Sequence, residues 1–482
     1  MQYDRRQFLG MCGAAAALPA LGCLTAARRE EGALPNIVLC MADDQGWGDM
    51  AYNGHPALKT PNFDAMAKTG LRFNRFYAAA PVCSPTRGSV MTGRHPNRFG
   101  CFSWGRTLRP QEITIAEALK QAGYVTGHFG KWHLGSVRDG SPVNPGESGF
   151  DEWLSAPNFF DNDPILSREG KAVQTEGESS MVTVDAALDF IRRRSDADRP
   201  FLAVVWFGSP HKPHRAAPEY RAMYADVDEK YRDFYGEITG MDAAFGKLRN
   251  ALGDLGIRDN TMLWYCSDNG GLPKVGATGG RGHKGQVYEG GLRVPALLEW
   301  PARLPTPAAT DMPCVTSDIY PTLLEFAGVR VPNQPPLDGV SLAPLLEGDM
   351  RVRTEPIGFW DYPAKGIRTP SAEWMSDLLD AQQGGGSAED PERLRLDAGS
   401  LEKKYDPGRL VGHAAWLDWP WKLHRKQGNP EQTPVFELYN LEVDPMEAND
   451  LAGDRGERAG AMRAQLEDWQ RSVIGSLNGG DY

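Results

Sequence analysis

The 482-residue chain lacks an excess of basic residues, because 52 lysines and arginines are set against 63 aspartates and glutamates, for a formal net charge of −11. Nucleic-acid binding needs a basic surface, so the composition argues against a nucleic-acid partner. Cysteine is also scarce, and the seven present do not form a disulfide framework. Cys101 and Cys314 could pair, although nothing in the sequence requires it. No internal repeat is recognisable, which argues against solenoid and propeller architectures.

Long apolar runs are missing as well. The run from Met11 to Leu24 is too short to span a membrane comfortably, and Pro19 interrupts it. Arg5 and Arg6 precede this run, and arginines before a short apolar region are typical of an export signal. We therefore interpret residues 1–33 as a targeting segment and leave them out of the fold prediction.

The type of export signal is indicated by the paired arginines, which stand close to Phe-Leu and resemble a twin-arginine signal. That resemblance makes the twin-arginine export machinery an expected partner. Cleavage after Ala27 and lipid attachment at Cys23 both remain open. We expect an exported protein, either periplasmic or lipid-anchored to a bacterial membrane.

Carboxylate and amide side chains follow two continuous apolar runs, at residues 37–41 and 261–266, each of which predicts a strand buried on both faces. Ligands in open α/β sheets bind beyond the carboxyl ends of the strands. An isolated pair of aspartates is usually a solvated acidic turn, but a second oxygen-rich turn makes a shared site plausible. Such a set suits Ca²⁺ or Mg²⁺ and does not suit zinc. The residues concerned are Asp43, Asp44, Asp268 and Asn269.

A second group of candidate functional residues begins at Cys83. Ser84 is a good N-cap and Pro85 fits the first helical position, so we predict that a helix starts here with Cys83 just before it. Helix N-termini favour negative charge, and Arg87 lies one turn further on. Two simpler readings compete, since cysteine is often a small buried hydrophobe and Ser-Pro is often only a helix start.

The stretch Cys83-Ser84-Pro85-Thr86-Arg87, followed by Gly-Ser-Val-Met-Thr-Gly-Arg, resembles the signature of the formylglycine-dependent (type I) sulfatases of the alkaline phosphatase-like superfamily. The resemblance implies that a maturation enzyme oxidises Cys83 to Cα-formylglycine. It also implies one Ca²⁺ per chain, held together with residue 83 by the four oxygen-bearing side chains named above. Motifs that match the family in order run from residue 35 to about 300.

Further site residues follow from the same resemblance. Lys131 and His133 lie in Gly-Lys-Trp-His-Leu-Gly, and an extended backbone would place both on one face with Trp132 opposite. His211 matches the catalytic histidine of the family, whereas His214 is the weaker candidate. The implied catalytic set is Cys83, Arg87, Lys131, His133, His211 and Lys284.

The resemblance also sets the expected architecture. We predict an α/β fold in which helices sandwich a mostly parallel central sheet, over residues 34–345. A smaller C-terminal α+β subdomain, residues 346–482, should carry a short antiparallel sheet. Within it, residues 365–408 are polar and loop-like and match no family motif, so we interpret them as an insertion near the site or a flexible excursion.

The function implied is hydrolysis of sulfate monoesters. Hydrated formylglycine would offer one hydroxyl to attack sulfur and a second to expel sulfate. Export suits a sulfated carbohydrate, with residues 158–162 and the insertion as candidate specificity elements. Two alternatives stay open: a phosphonate or phosphate monoester hydrolase of the same superfamily, and a catalytically silent binder of sulfated glycans.

Overall fold

Fifteen strands in two sheets make up the β-structure of the computed structural model, which describes residues 33–195, 199–384 and 390–482. The strands are β1 (Asn36–Ala42), β2 (Leu71–Tyr77), β3 (Val125–Lys131), β4 (Glu152–Ala156), β5 (Ile165–Arg168), β6 (Lys171–Gln174), β7 (Phe201–Trp206), β8 (Thr261–Ser267), β9 (Arg293–Glu299), β10 (Ala308–Thr310), β11 (Cys314–Val315), β12 (Ile357–Asp361), β13 (Gly412–Asp418), β14 (Trp421–Gln427) and β15 (Val435–Asn440).

The α-helices lie between and after these strands. They are α1 (Pro61–Thr69), α2 (Cys83–Thr92), α3 (Ile115–Lys120), α4 (Ser179–Arg192), α5 (Pro218–Ala222), α6 (Glu229–Asp254), α7 (Glu289–Leu292), α8 (Ile319–Phe326), α9 (Ala343–Leu346), α10 (Ser371–Gln383), α11 (Pro391–Leu394) and α12 (Gly456–Leu477).

The large sheet has eleven strands in the order β10-β2-β9-β8-β1-β7-β3-β4-β5-β6, with β11 also paired to β2. Its centre, from β8 through β1, β7 and β3 to β4, is parallel, whereas β9, β5 and β6 run antiparallel to their neighbours. The second sheet is a four-stranded antiparallel meander, β12-β13-β14-β15. The predicted fold class, a mostly parallel α/β sheet with a separate small antiparallel sheet, is confirmed.

Strand β1 shows why the central strands are apolar throughout. Ile37, Leu39 and Met41 pack into one hydrophobic cluster, and the alternate residues of the strand pack into a second cluster with residues of α4 and α6. Both faces of the strand are therefore buried, as continuous apolar runs in parallel sheets require. The ends of these strands are therefore where polar side chains can gather.

The predicted division at residue 345 stays a prediction, because Leu34 to Tyr482 form one compact unit. The predicted export signal, residues 1–33, lies outside the described residues apart from Ala33. Among the described helices, none has the length and apolar content needed to cross a bilayer. Cys101 and Cys314, which could have paired, are both buried free thiols.

The insertion at residues 365–408 is more regular than its composition indicated. It contains α10, which runs for 13 residues, and the short α11. Met375 and Leu378 of α10 are buried, and Gln382 exchanges two hydrogen bonds with the backbone of Ala172 in β6. Packing against the edge of the large sheet thus stabilises a helix that the polar sequence alone does not predict.

Candidate active site

The register of two central strands brings the acidic turns together. Strands β1 and β8 are parallel neighbours with Ala42 opposite Ser267, so the residues that follow each strand emerge side by side. The backbone N–H of Asp44 donates to Asp268 Oδ1 at 3.1 Å, and Asn269 Nδ2 donates to Asp44 Oδ1 at 3.0 Å. Asp43, Asp44, Asp268 and Asn269 are all buried.

Helix α2 brings Cys83 to these carboxylates. Cys83 is the first residue of the helix rather than the residue before it, and Val82 is the N-cap. Ser84 does not cap the helix as predicted, because its Oγ instead accepts a hydrogen bond from Gly105 N at 2.9 Å. One ligand atom from each of Asp43, Cys83 and Asp268 lies within 4.8 Å of the others, a grouping that could hold a metal ion.

Arg87 connects α2 to the carboxylate pair. Its guanidinium donates from Nη2 at 2.7 Å and from Nε at 3.1 Å to Asp268 Oδ2. It also donates from Nη1 to the carbonyl of Lys131 at 3.2 Å and lies 5.1 Å from the ring centroid of Trp206. The arginine is fully buried, so these contacts fix it beside Cys83 one helical turn away.

Two lysines approach the carboxylates from different elements. Lys131, at the end of β3, donates from Nζ to Asp43 Oδ2 at 2.6 Å. Lys284 donates from Nζ to Asp44 Oδ2 at 2.7 Å. The loop that carries Lys284 is tied to the segment just before the helix of Cys83, because Gly285 N donates to the carbonyl of Pro81 at 2.9 Å.

The predicted histidines differ in their surroundings. His133 is buried and has a φ of +54°, so the extended backbone predicted to align it with Lys131 is absent; a left-handed turn directs it instead. His211 Nε2 lies 3.6 Å from Asp44 Oδ2, and its ring stacks on Phe159 at 4.1 Å between centroids. His214 instead faces Glu237, its Nδ1 3.4 Å from the carboxylate.

Burial and mutual repulsion leave the carboxylates in need of a cation. Burial raises the pKa of Asp43 to about 8, and the neighbouring carboxylates of Asp268 and Asp44 add to the rise. Burial also raises the pKa of Asp44, but Lys284, His211 and Lys131 outweigh it and hold that pKa below its ordinary value. Asp43 Oδ1 and Asn269 Oδ1 are buried without a hydrogen-bond partner. Unpartnered oxygens among crowded carboxylates fit a hard divalent cation.

A cavity of about 450 Å³ opens onto Cys83. Asn158 and Phe159 belong to the loop predicted as a specificity element, and residues 368–370 belong to the insertion. Trp104 was missed, because a tryptophan in a loop carries no signal that separates a cavity rim from a core. The lining consists of Cys83, Trp104, His133, Asn158, Phe159, His211, Lys284, Arg368, Thr369 and Pro370.

The comparisons with known proteins agree with this architecture of an α/β sheet that gathers carboxylates, a cysteine and cations at one end. Residues 35–329 match the family model described as Sulfatase. The N-acetylgalactosamine-6-sulfatase of Canis lupus familiaris is 34% identical over 359 residues, which cover 65% of this chain and 66% of the relative. The ulvan-active sulfatase of Formosa agariphila is 31% identical over 379 residues, covering 72% and 73%.

Among solved structures, that of Ps i-CgsB in complex with k-i-k-neocarrahexaose has a TM-score of 0.75 and 25% identity, and covers 91% of this chain and 93% of that one. The chain therefore belongs to the sulfatase family, whose named members are sulfuric ester hydrolases.

Proposed function

We propose that this chain hydrolyses sulfate monoesters on sulfated saccharides at Cys83. The observation that carries the proposal is the convergence of Asp43, Cys83 and Asp268, whose ligand atoms lie within 4.8 Å of one another. Buried cations stand against the same carboxylates, as a site for a sulfate requires. Relatives named N-acetylgalactosamine-6-sulfatase and ulvan-active sulfatase support a saccharide as the substrate.

The nucleophile is inferred to be a modified Cys83. Burial raises the pKa of its thiol, although Lys131 and Lys284 oppose the rise, so the unmodified side chain is a poor nucleophile near neutral pH. Oxidation by a maturation enzyme to Cα-formylglycine would supply a hydrated aldehyde, whose hydroxyl is the nucleophile for sulfur. The match of residues 83–94 to the family signature supports this modification.

The metal is inferred to be a single Ca²⁺, held by Asp43, Asp44, Asp268 and Asn269 beside residue 83. All four side chains offer oxygen as the atom that would bind a metal, and two of these oxygens are buried without hydrogen-bond partners. When bound, the ion supplies a Lewis acid beside the nucleophile and the sulfate oxygens.

The remaining side chains provide charge and protons. Lys131 and Lys284 neutralise the sulfate oxygens. The pKa of Lys284 is raised although burial lowers it, because Asp44 stabilises the ammonium; Lys284 is therefore protonated near neutral pH. We assign the delivery of a proton to the departing alcohol to Lys284 and His211. Burial lowers the pKa of His211 to about 3, although Asp44 opposes the shift, so in the free site the imidazole is neutral and Lys284 carries the proton. Arg87 positions Asp268, and His133 assists the nucleophile.

The proposal is tested on protein co-produced with a formylglycine-generating enzyme. We expect turnover of 4-nitrophenyl sulfate to exceed that of its phosphate and phosphonate analogues, and mass spectrometry of the Cys83 peptide to show an aldehyde in place of the thiol. Preference for the phosphate or phosphonate would favour the alternative hydrolase. An aldehyde without turnover of any ester, including a panel of sulfated saccharides, would favour a binding protein.

Calcium binding has a readout that does not depend on activity. Adding Ca²⁺ to metal-free protein should raise its Tm, because the ion binds the folded state only. Asp43→Asn should abolish the calcium-dependent increase, whereas Asp259→Asn, at an exposed aspartate, should retain it. An equal increase in both variants would place the calcium elsewhere.

A further inference from the structure

The rim of the cavity carries an exposed aromatic side chain. Trp104 lines the cavity and is 41% exposed, and among the chain's thirteen tryptophans, all within the described residues, it alone is exposed rather than buried or half-buried. Leaving this indole in water costs free energy in proportion to the apolar area that it exposes. An exposed ring at the mouth of a cavity is typical of a surface that a ligand covers.

Hydrogen bonds on both sides fix the loop of Trp104. Gly105 N donates to Ser84 Oγ at 2.9 Å, which ties the loop to the helix of Cys83. Ile367 N donates to the carbonyl of Trp104 at 2.9 Å. The ring itself rests on the backbone of Gly366, where a Cβ would lie 2.1 Å from Cε2 of the indole. The insertion therefore holds the indole of Trp104 in place, and the position of the indole does not depend on a substrate.

The insertion is also joined to the residues around the nucleophile. Thr369 Oγ1 lies 3.3 Å from His133 Nε2 and accepts a hydrogen bond from Asn158 Nδ2 at 2.9 Å. The carbonyl of Thr369 accepts a second, longer bond from the same amide at 3.2 Å. This anchoring places the preceding residue, Arg368, at the rim of the cavity.

The guanidinium of Arg368 is held only weakly by the rest of the protein. Its side chain is 83% exposed, and the ion pair that the structure gives it, with Glu373 Oε2, spans 3.8 Å to a carboxylate that is itself 56% exposed. Exposed ion pairs of this kind contribute little to stability. The guanidinium can therefore exchange Glu373 for an anion in the cavity at small cost, and its planar donors fit a carboxylate or a sulfate with two hydrogen bonds.

Resting on the function proposed above, we propose that Trp104 and Arg368 form a subsite for a saccharide that carries a second anionic group beside the sulfate that is cleaved. The sulfate lies at Cys83, the apolar face of the pyranose ring packs on Trp104, and Arg368 binds the second anion, a carboxylate or another sulfate. Lys284 already provides positive charge for the first sulfate at Cys83, so Arg368 provides positive charge for the second anionic group. The substrate class is thus a sulfated saccharide with at least two negative charges.

The test compares three saccharides as competitors of 4-nitrophenyl sulfate. N-acetylgalactosamine 6-sulfate has one anionic group, its 4,6-disulfate adds a sulfate, and the 6-sulfate linked to glucuronic acid adds a carboxylate. We expect at least one doubly anionic saccharide to bind about tenfold more tightly than the singly anionic one. The sulfate and carboxylate arms identify which second anion Arg368 prefers.

Variants assign the difference to the two residues. Arg368→Ala should remove most of the advantage of the doubly anionic saccharide, and Arg368→Lys should restore part of it. Arg330→Ala, at an exposed arginine outside the lining, should leave it intact. Trp104→Ala should weaken all three saccharides about tenfold, and Trp104→Phe less. Gly366→Ala should weaken them too, because it displaces the indole without removing it.

The result that overturns the inference is an equal affinity for singly and doubly anionic saccharides, or an advantage that survives Arg368→Ala. Either can be found while 4-nitrophenyl sulfate is still hydrolysed, so the proposed function would stand. Calorimetric titration of Cys83→Ala with the same saccharides gives the comparison without turnover. It therefore also decides the inference if the unmodified protein hydrolyses no sulfate ester.

Discussion

The two active-site lysines make similar contacts but differ in how the fold depends on them. The side chain of Lys131 is fully buried against Asp43, whereas that of Lys284 is 19% exposed. Removing either lysine leaves a buried carboxylate, Asp43 or Asp44, without its nearest cation, which is costly in itself, but the position of the partly exposed Lys284 can be reached by water. Lys284 therefore offers the cleaner test of a catalytic role.

We predict that Lys284→Ala lowers kcat for 4-nitrophenyl sulfate by about 10²–10³-fold, because a charge that stabilises the transition state is lost, and that it lowers Tm less than Lys131→Ala does. Lys131→Ala should show a similar loss of rate together with a lower Tm. The exposed Lys68 provides a control, since Lys68→Ala should change neither quantity. Unchanged turnover in both active-site variants would refute their assignment. Steady-state kinetics and thermal melts measure the two effects.

The site residues were predictable wherever a motif specified chemistry rather than geometry. Asp43 and Asp268 follow apolar strands, and their proximity follows from the rule that ligands gather at the carboxyl ends of a parallel sheet. The conformations of Ser84 and His133 were not predictable from neighbouring residues. Ser84 bonds to Gly105, 21 residues away, and His133 adopts a left-handed conformation at a strand end. Their catalytic or supporting roles remain predictions.

At the scale of elements, a buried ion network joins the small sheet to the loop that carries Lys284. Lys422 of β14 is fully buried, and its Nζ lies 2.9 Å from Glu289 Oε1 and 3.0 Å from Glu447 Oε1. His424, on the same strand, lies with Nε2 2.8 Å from Glu447 Oε1. Glu289 begins α7, just after the loop of Lys284, so the network couples that loop to the C-terminal strands.

We predict that Lys422→Met lowers the free energy of unfolding by about 3–5 kcal/mol, because it leaves the carboxylates of Glu289 and Glu447 buried without their lysine. Lys426→Met is the matched control on the same strand. Its side chain is 33% exposed and pairs with Glu437, so its loss should cost less than about 1 kcal/mol. Urea titration measures the free energy of unfolding of both variants. Equal losses would show that burial does not decide how much these ion pairs contribute to stability.

The central strands β1 and β8 were predictable because their short apolar runs are continuous and are followed by polar turns. Helix α10 was not, since the segment around it is polar and its stability comes from packing of Met375 and Leu378 under an edge of the large sheet. Secondary structure that depends on such distant contacts leaves only a weak trace in the local sequence.

At the scale of the whole molecule, Asp338 holds the C-terminal helix against the part of the chain near α2. Its Oδ1 accepts from Trp469 Nε1 of α12 at 2.8 Å, and its Oδ2 accepts from Arg98 Nε at 2.7 Å and from His95 N at 2.6 Å. These partners lie between 131 and 243 residues away in sequence. No sequence pattern pairs residues at such separations, which is why these contacts of Asp338 were not predicted.

Asp338 makes part of the stability dependent on pH. Burial raises its pKa, but Arg98 outweighs burial and holds the pKa at about 2, below the ordinary aspartate value of 3.8. The stabilising contribution, about 2 kcal/mol, is complete above pH about 4 and is lost as the pH falls through 2. We predict that Asp338→Asn destabilises the protein at pH 7 and that its deficit shrinks below pH 4.

Unfolding experiments at pH 7 and pH 3 on the wild type and Asp338→Asn measure this deficit directly. Asp349→Asn, at an exposed aspartate, should show no deficit at either pH. A deficit for Asp338→Asn that is independent of pH would mean that the carboxylate acts through shape alone and not through its charge.

The lining of the cavity comes from two parts of the chain that are separate in sequence. One part lies between residues 83 and 284 and includes Trp104 at the rim, whereas residues 366–370 belong to the insertion and contact the first part through Trp104, His133 and Asn158. In the proposed subsite, Arg368 is thus encoded apart from the residues assigned to ester cleavage. We expect that exchanging residues 366–370 for those of a relative changes which sulfate ester is preferred and leaves the cleavage residues unchanged, so this part of the specificity can diversify independently of catalysis.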